Sequence, residues 1–340
     1  MISTVIETVS RPHATNFVRW ARDRSEVIVL SADLTASCEA ADFRDAYPDR
    51  FFSMGMAEQN MMGFAGGLAR EGFSVWIHSF AVFVCRRPFD QVAMAIAYPN
   101  LPVRLLGFLP GITTPGGVTH QAIDDLALMR ALPNMTVLEC GDATDVESVL
   151  DVAQSVAGPV YVRQLRGQVP RLFPAAEPMQ LGRARTLSEG GDVTLLTSGI
   201  CTEEALRAIP ALRRRGVGVR HLHISTLKPF DDPAVLQAVS AGRHGVITLE
   251  NHSIIGGLGS AVAETMAAAG AGKKLIRLGL QDTYAHGAGR RHLMQEHGLD
   301  AAALLGAVES LLGERLGLTE QELLPAGDAA QLIIAKPEAL

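Results

Sequence analysis

Apolar positions along the chain alternate between short unbroken runs and longer stretches in which they recur every third or fourth residue, the rhythm of buried strands followed by amphipathic helices. In the first half the strand-like runs are Val27-Ile28-Val29-Leu30, Phe73 to His78, Val103 to Phe108, Thr136 to Glu139 and Val160-Tyr161-Val162-Arg163. Between them the spacing predicts helices over 14–23, from near Ala57, over about 81–97, from His120 onward and over about 143–156. After a stretch punctuated by Pro170, Pro174 and Pro178 and ending near Gly190-Gly191, the rhythm resumes. Strands are expected at Val193 to Thr197, Val217 to Ile224, Gly245 to Leu249 and Leu275 to Leu278, with helices over 202–215, 232–240 and about 258–269. Strand and helix in strict alternation mean an α/β protein, here two successive doubly wound domains with mostly parallel sheets. The expected divisions are a first domain at 1–170, a linker at 171–190, a second domain at 191–315 and a tail at 316–340 that carries no recognisable chemistry.

Composition agrees with two cores and removes several classes of function. The chain has 340 residues, 48% hydrophobic, 19% charged and 5% aromatic, too apolar for a disordered protein and long enough for two domains. A net charge of −6 argues against nucleic acid as a default partner. Cys38, Cys85, Cys140 and Cys201 have no ligand spacing and read as ordinary buried thiols of a reduced, cytoplasmic protein. Met1 to Glu7 carries an acid and lacks the basic start of a secretory signal, and no run approaches the roughly 20 apolar residues that span a bilayer. The expectation is a soluble protein.

The chemistry-bearing residues gather where strands end. Glu58 falls on the apolar stripe at the start of the helix from Ala57, where desolvation favours the neutral acid and the helix N-terminus favours the anion. Such a carboxyl suits proton sharing, although a first-turn acid that only complements the helix dipole fits the same position. Ser31-Ala32-Asp33-Leu34-Thr35-Ala36-Ser37 follows a strand, either as a ligand-binding edge or as a polar turn in which Asp33 caps a helix. Phe80 and Phe83, three apart, are either core aromatics or a stacking surface. The loop Leu109 to Gln121 holds two prolines and three glycines, and Thr119 is placed to cap a helix beginning at His120. Arg163 and Arg166 are either structural or able to bind a phosphate bidentately.

Met54-Gly55-Met56-Ala57-Glu58-Gln59-Asn60 resembles the segment that carries the catalytic glutamate in the pyrimidine-binding domain of transketolases, whose relatives include 1-deoxyxylulose-5-phosphate synthase and the beta chains of 2-oxo-acid dehydrogenases. The resemblance implies that Glu58 hydrogen-bonds N1′ of the thiamine diphosphate aminopyrimidine, helping its 4′ nitrogen to remove the thiazolium C2 proton. It implies further that Asp33 lies at the cofactor, that Phe80 and Phe83 pack on the pyrimidine, and that His120 contacts the substrate as proton donor or oxyanion partner. Arg11, Ser37 and Arg166, with Arg163 as a rival, are the implied phosphate-binding residues. Glu250-Asn251-His252 through Glu264 resembles the family's C-terminal domain, where it helps dimer packing; its Gly256-Gly257-Leu258-Gly259 spacing does not fit a dinucleotide fingerprint. No metal ligand is assigned to this chain.

Three departures qualify the resemblance. Arg86 stands where many transketolases have a tyrosine at the pyrimidine pocket's edge; Leu109 replaces a histidine, and Pro115-Gly116 replaces an acidic pair. The loop changes remove groups that read a linear ketose phosphate, so a branched donor such as apulose 4-phosphate enters consideration. Gly141-Asp142-Ala143 lacks the last glycine of the Gly-Asp-Gly motif that, in complete transketolases, helps hold Mg²⁺ and the diphosphate. The expected protein is therefore the C-terminal-section subunit of a split transketolase. A separate N-terminal-section chain would hold Mg²⁺ and diphosphate in an α2β2 assembly acting on sugar phosphates, without nucleic acid or membrane. Another thiamine-enzyme half, of 2-oxo-acid dehydrogenase beta or deoxyxylulose-phosphate synthase type, and a non-catalytic scaffold are the alternatives.

Overall fold

The first-half runs become strands because each is covered on both faces: Val27–Ser31, Ser74–Phe80, Val103–Phe108 and Val160–Gln164 are buried throughout in the computed structural model, which describes residues 6–323. They join one seven-stranded sheet in the order Thr226–Lys228, Thr136–Glu139, Val160–Gln164, Val103–Phe108, Ser74–Phe80, Val27–Ser31, Phe51–Ser53. All neighbours run parallel except Thr226–Lys228, which is antiparallel to Thr136–Glu139. This last strand arrives from the second half of the chain and was not expected from the sequence; it closes an edge that would otherwise present unpaired backbone.

A second sheet has the order Leu275–Leu280, Gly245–Ser253, Val193–Thr197, Val219–His223, Arg185–Ser188, parallel except for the last strand. Arg185–Ser188 lies within the expected linker. Both sheets are parallel-rich with helices packed on them, the expected α/β class. The remainder of the expected tail, 324–340, and the expected start of the chain at 1–5 lie outside the described residues. No helix among the described residues is long and apolar enough to cross a membrane.

The helix predictions fail where local chemistry interrupts the apolar period. The element expected over 81–97 divides into Ala81–Cys85, Phe89–Gln91 and a wide π turn over Val92–Ala97. Pro88, with no amide hydrogen to donate, accounts for the first break. The helix expected from His120 begins at Asp125 and ends at Ala131. Thr119 does not cap it: its hydroxyl bonds the His120 Nδ1 at 2.8 Å, and the chain passes Gly117 with φ 70° before any helical turn forms.

Glu58–Arg70 is the helix that positions the site. Met61, Met62, Ala65 and Ala69 bury one face, and Gly66 lets it approach the π turn so closely that a Cβ there would lie 2.5 Å from the Ala95 carbonyl oxygen.

Candidate active site

Glu58 opens its helix with only 4% of its surface exposed, and its Oε1 accepts a bond from Arg87 Nη1 at 2.9 Å. The same guanidinium lies 4.1 Å from the centroid of the Phe83 ring. Phe83 in turn stacks on Phe80, with centroids 6.0 Å apart and planes 27° apart, and the His120 ring meets Phe83 edge-on at 5.4 Å. Arg166 stands 5.9 Å from the Phe80 centroid and donates from Nη1 to the Ser37 carbonyl at 2.9 Å. Residues from the Glu58 helix, the turn after Ser74–Phe80, the loop before Asp125 and the loop after Val160–Gln164 thus meet along the carboxyl edge of the sheet, where open α/β sheets bind ligands.

Arg87 was missed in the sequence, where the adjacent Arg86 drew attention as the residue replacing a pocket-edge tyrosine. Arg86 points elsewhere: its Nε lies 2.9 and 3.0 Å from the two Asp124 carboxylate oxygens, and its Nη2 reaches the Gln121 carbonyl. It braces the loop behind His120. Arg87 does what no single-position pattern reveals, covering the buried carboxylate and the aromatic face at once.

The phosphate candidates separate. Arg163 is wholly buried: its Nε and Nη2 grip both oxygens of Asp125 at 2.7 and 2.9 Å, and Nη1 meets Glu139 Oε1 at 2.6 Å. Nη2 also donates to the carbonyls of Ala122 and Asn251. Burial opposes its charge, but Asp125 and Glu139 outweigh burial and hold the guanidinium protonated well above its ordinary range. Its donors are spent inside the protein, so Arg163 is corrected from a phosphate candidate to a structural ion pair.

Arg166, Arg11 and Ser37 stay together near the surface. The Arg11 amide donates to the Gly167 carbonyl at 2.7 Å, and its side chain, half exposed, pairs with Asp42 at 3.2 Å. Between these loops sits Glu39, a second residue the sequence did not flag, accepting from the amides of Ala14 and Gly167 at 3.2 and 2.7 Å. Burial raises its pKa, with the backbone bonds and the nearby charges of Arg11 and Arg166 pulling the other way. Asp33 is exposed in a left-handed conformation, φ 60°, on the loop that carries Ser37.

The loop that departs from the resemblance is fixed by the second half of the chain. Asn251 Oδ1 accepts from the Ile112 amide at 2.9 Å and its Nδ2 donates to the Pro110 carbonyl at 3.0 Å. Gly111, with φ 57°, has no room for a side chain there, since a Cβ would lie 2.2 Å from Asn251 Oδ1. Leu109 is buried, 3% exposed, and lines a cavity of about 820 Å³ shared with Arg166, Arg207 and Met294. That cavity lies between the two halves of the chain, and neither Glu58 nor His120 lines it.

A flat aminopyrimidine fits what the first group of residues offers: a buried carboxylate for a ring nitrogen, beside an aromatic face for the ring. Among the described residues no cluster of three metal-ligating side chains lies at Glu58.

Comparison with known proteins gives two family matches: the transketolase pyrimidine-binding domain over residues 13–171 and the transketolase C-terminal domain over 182–304. The chain is 38% identical to a subunit of a 6-deoxy-6-sulfo-D-fructose transketolase of Clostridium sp., covering 86% of this chain and 91% of the relative. It is 37% identical to a transketolase family protein of Sinorhizobium fredii, covering 89% and 88%. A solved split-gene transketolase, described as an inactive beta4 tetramer, superimposes with a TM-score of 0.80 at 36% identity, covering 89% of this chain and 97% of that one.

Proposed function

We propose that this chain, which belongs to the transketolase family, serves as the C-terminal-section subunit of a two-chain enzyme that moves a two-carbon ketol unit from a ketose phosphate to an aldose phosphate. The observation that carries the reading is the buried Glu58 carboxylate set beside the Phe80–Phe83 surface with His120 on its edge. Thiamine diphosphate, when bound, supplies the carbon nucleophile that takes up and releases the two-carbon unit.

The chain's own residues do the rest. Glu58 would hold and orient the aminopyrimidine, and Arg87, which bonds its Oε1 and covers the Phe83 face, would move aside for the ring. Phe80 and Phe83 give the ring a dry stacking surface and exclude water from the carboxyl. His120 has its Nδ1 engaged by Thr119, which leaves Nε2 to exchange a proton with a substrate oxygen. Asp33 is assigned to the cofactor's surroundings. Arg166, Arg11 and Ser37 are assigned to the donor's phosphate, where a guanidinium fork is well matched.

Mg²⁺ and the diphosphate are assigned to a partner chain, the N-terminal-section subunit, in an α2β2 assembly. Phe52, Met56 and Phe64, exposed at 39%, 79% and 40% around the start of the Glu58 helix, support a partner surface there. The four buried free thiols support a reducing, cytoplasmic setting.

The test is turnover of the chain purified with its partner, Mg²⁺ and thiamine diphosphate, using xylulose 5-phosphate, apulose 4-phosphate and 6-deoxy-6-sulfofructose as donors. Activity should require both chains and fall at least about a hundredfold in Glu58→Gln, the scale of a lost acid–base group. An unchanged Glu58→Gln enzyme, or no thiamine-dependent turnover with any donor, would sink the reading.

A further inference from the structure

The strand Leu275–Leu280 is followed by a loop that carries His286 and leads into the helix Arg290–Glu296. Four residues apart on that helix, His292 and Glu296 share one face, and the loop folds His286 back against them. One ligand atom from each of the three lies within 4.8 Å of the other two. His286 Nε2 stands 2.7 Å and His292 Nε2 3.3 Å from the same oxygen, Glu296 Oε2. The two imidazoles meet edge-on, 5.9 Å between centroids and 69° between planes, so they converge on the carboxylate rather than stack. The other nitrogen of His286, Nδ1, faces the Gly287 carbonyl at 3.4 Å, the kind of outer contact that orients a ligating imidazole.

We infer that His286, His292 and Glu296 form a binding site for a borderline divalent transition-metal ion, Zn²⁺ in the first instance. Bonds of about 2.0–2.1 Å to tetrahedral zinc put its ligand atoms roughly 3.3 Å apart. His292 Nε2 already has that separation from Glu296 Oε2, and His286 Nε2 reaches it by opening from 2.7 Å to about 3.3 Å, which its exposed side chain allows. Two imidazoles and one carboxylate select against Mg²⁺, which prefers an all-oxygen shell, so this site is chemically separate from the metal assigned to the partner chain. Three protein ligands leave a position for water.

The site also has a mechanical neighbour. The His286 carbonyl accepts from the side-chain amide of Gln121, a residue 1% exposed and next to His120. The Gly287 amide nitrogen lies 3.2 Å from where a Cβ on Gly117 would stand, so the His286–Gly287 backbone is packed directly on the loop that carries His120. Holding His286 by a metal therefore holds this backbone against residues 114–121. The binding claim does not depend on the transketolase reading.

The test uses the full chain, titrated with Zn²⁺ by calorimetry and with Co²⁺ by visible absorption. One ion per chain is expected, with the d–d bands of a tetrahedral Co²⁺ centre, and His292→Ala and Glu296→Gln should each weaken binding at least about tenfold. His244→Ala, remote in sequence, should leave it unchanged. All three substitutions are outside the core, and circular dichroism confirms that each variant is folded. Zn²⁺ should slow amide exchange over 114–121 in the wild-type chain and not in His292→Ala. Absence of saturable binding, or equal binding by His292→Ala and Glu296→Gln, overturns the site; binding without slowed exchange overturns the clamp. Because neither readout needs turnover, an inactive enzyme that binds Zn²⁺ refutes the functional reading alone.

Discussion

Arg163 and Arg166 share one strand end and one side-chain type, yet burial gives them opposite work. Arg163 is locked between Asp125 and Glu139, and removing one member of a buried ion pair leaves the rest uncompensated. Arg163→Met should therefore lower the free energy of unfolding in urea by about 3–5 kcal/mol. Arg166 lines the cavity beside Ser37, and Arg166→Gln should leave the urea midpoint near wild type. It should cost about 1.5–3 kcal/mol in kcat/KM for a phosphorylated donor, a tenfold to hundredfold loss seen mainly in KM. A large stability loss in Arg166→Gln with an unchanged KM would reverse the two assignments. Residue identities made both arginines visible in the sequence. Which one faces solvent was not visible, because it depends on carboxylates 38 and 24 positions away in the chain.

Packing distances decide matters at the level of the element. The Glu58–Arg70 helix was legible from its apolar spacing, but Gly66 and Gly67 look alike in sequence and differ in their surroundings. A methyl at Gly66 meets the Ala95 carbonyl at 2.5 Å, whereas nothing lies within 4 Å of one at Gly67. Gly66→Ala should destabilise the protein by about 1–3 kcal/mol through overpacking. Gly67→Ala should stabilise it by about 0.5–1 kcal/mol through helix propensity, and thermal melts of the two variants check both signs. In the second sheet, burial and then the neighbouring His223 push the pKa of His221 down to about 3, from 6.5 in an ordinary setting. As pH falls below 6.5 the unfolded chain takes up a proton that the folded chain refuses, so stability falls with pH by about 1.4 kcal/mol per unit from this residue. Urea unfolding above and below pH 6.5 should show the gap between wild type and His221→Gln narrowing as pH falls; a constant gap would contradict the burial argument.

For the molecule as a whole, the decisive contacts join the two halves of the chain. Asn251 pairs the amide of Ile112 and the carbonyl of Pro110, and Asn251→Ala would strand the buried Ile112 amide, while the Pro110 carbonyl keeps its bonds from the Thr113 hydroxyl and amide. A loss of about 1–3 kcal/mol is expected, with faster amide exchange at Ile112; unchanged exchange would mean that the loop holds itself. The sequence by itself determined the α/β alternation, the buried strands and the helix that begins at Glu58, because these depend on local periodicity. It also marked Glu58, Phe80, Phe83 and His120, because a motif preserves residue types in order. Only the tertiary structure decided that Arg87 rather than Arg86 covers Glu58, that Arg163 lies inside the protein, that Thr226–Lys228 completes the first sheet, and that His286 comes back to His292 and Glu296. Each of these rests on a distance between groups set by packing, and hydrophobic periodicity along the chain carries no record of such distances.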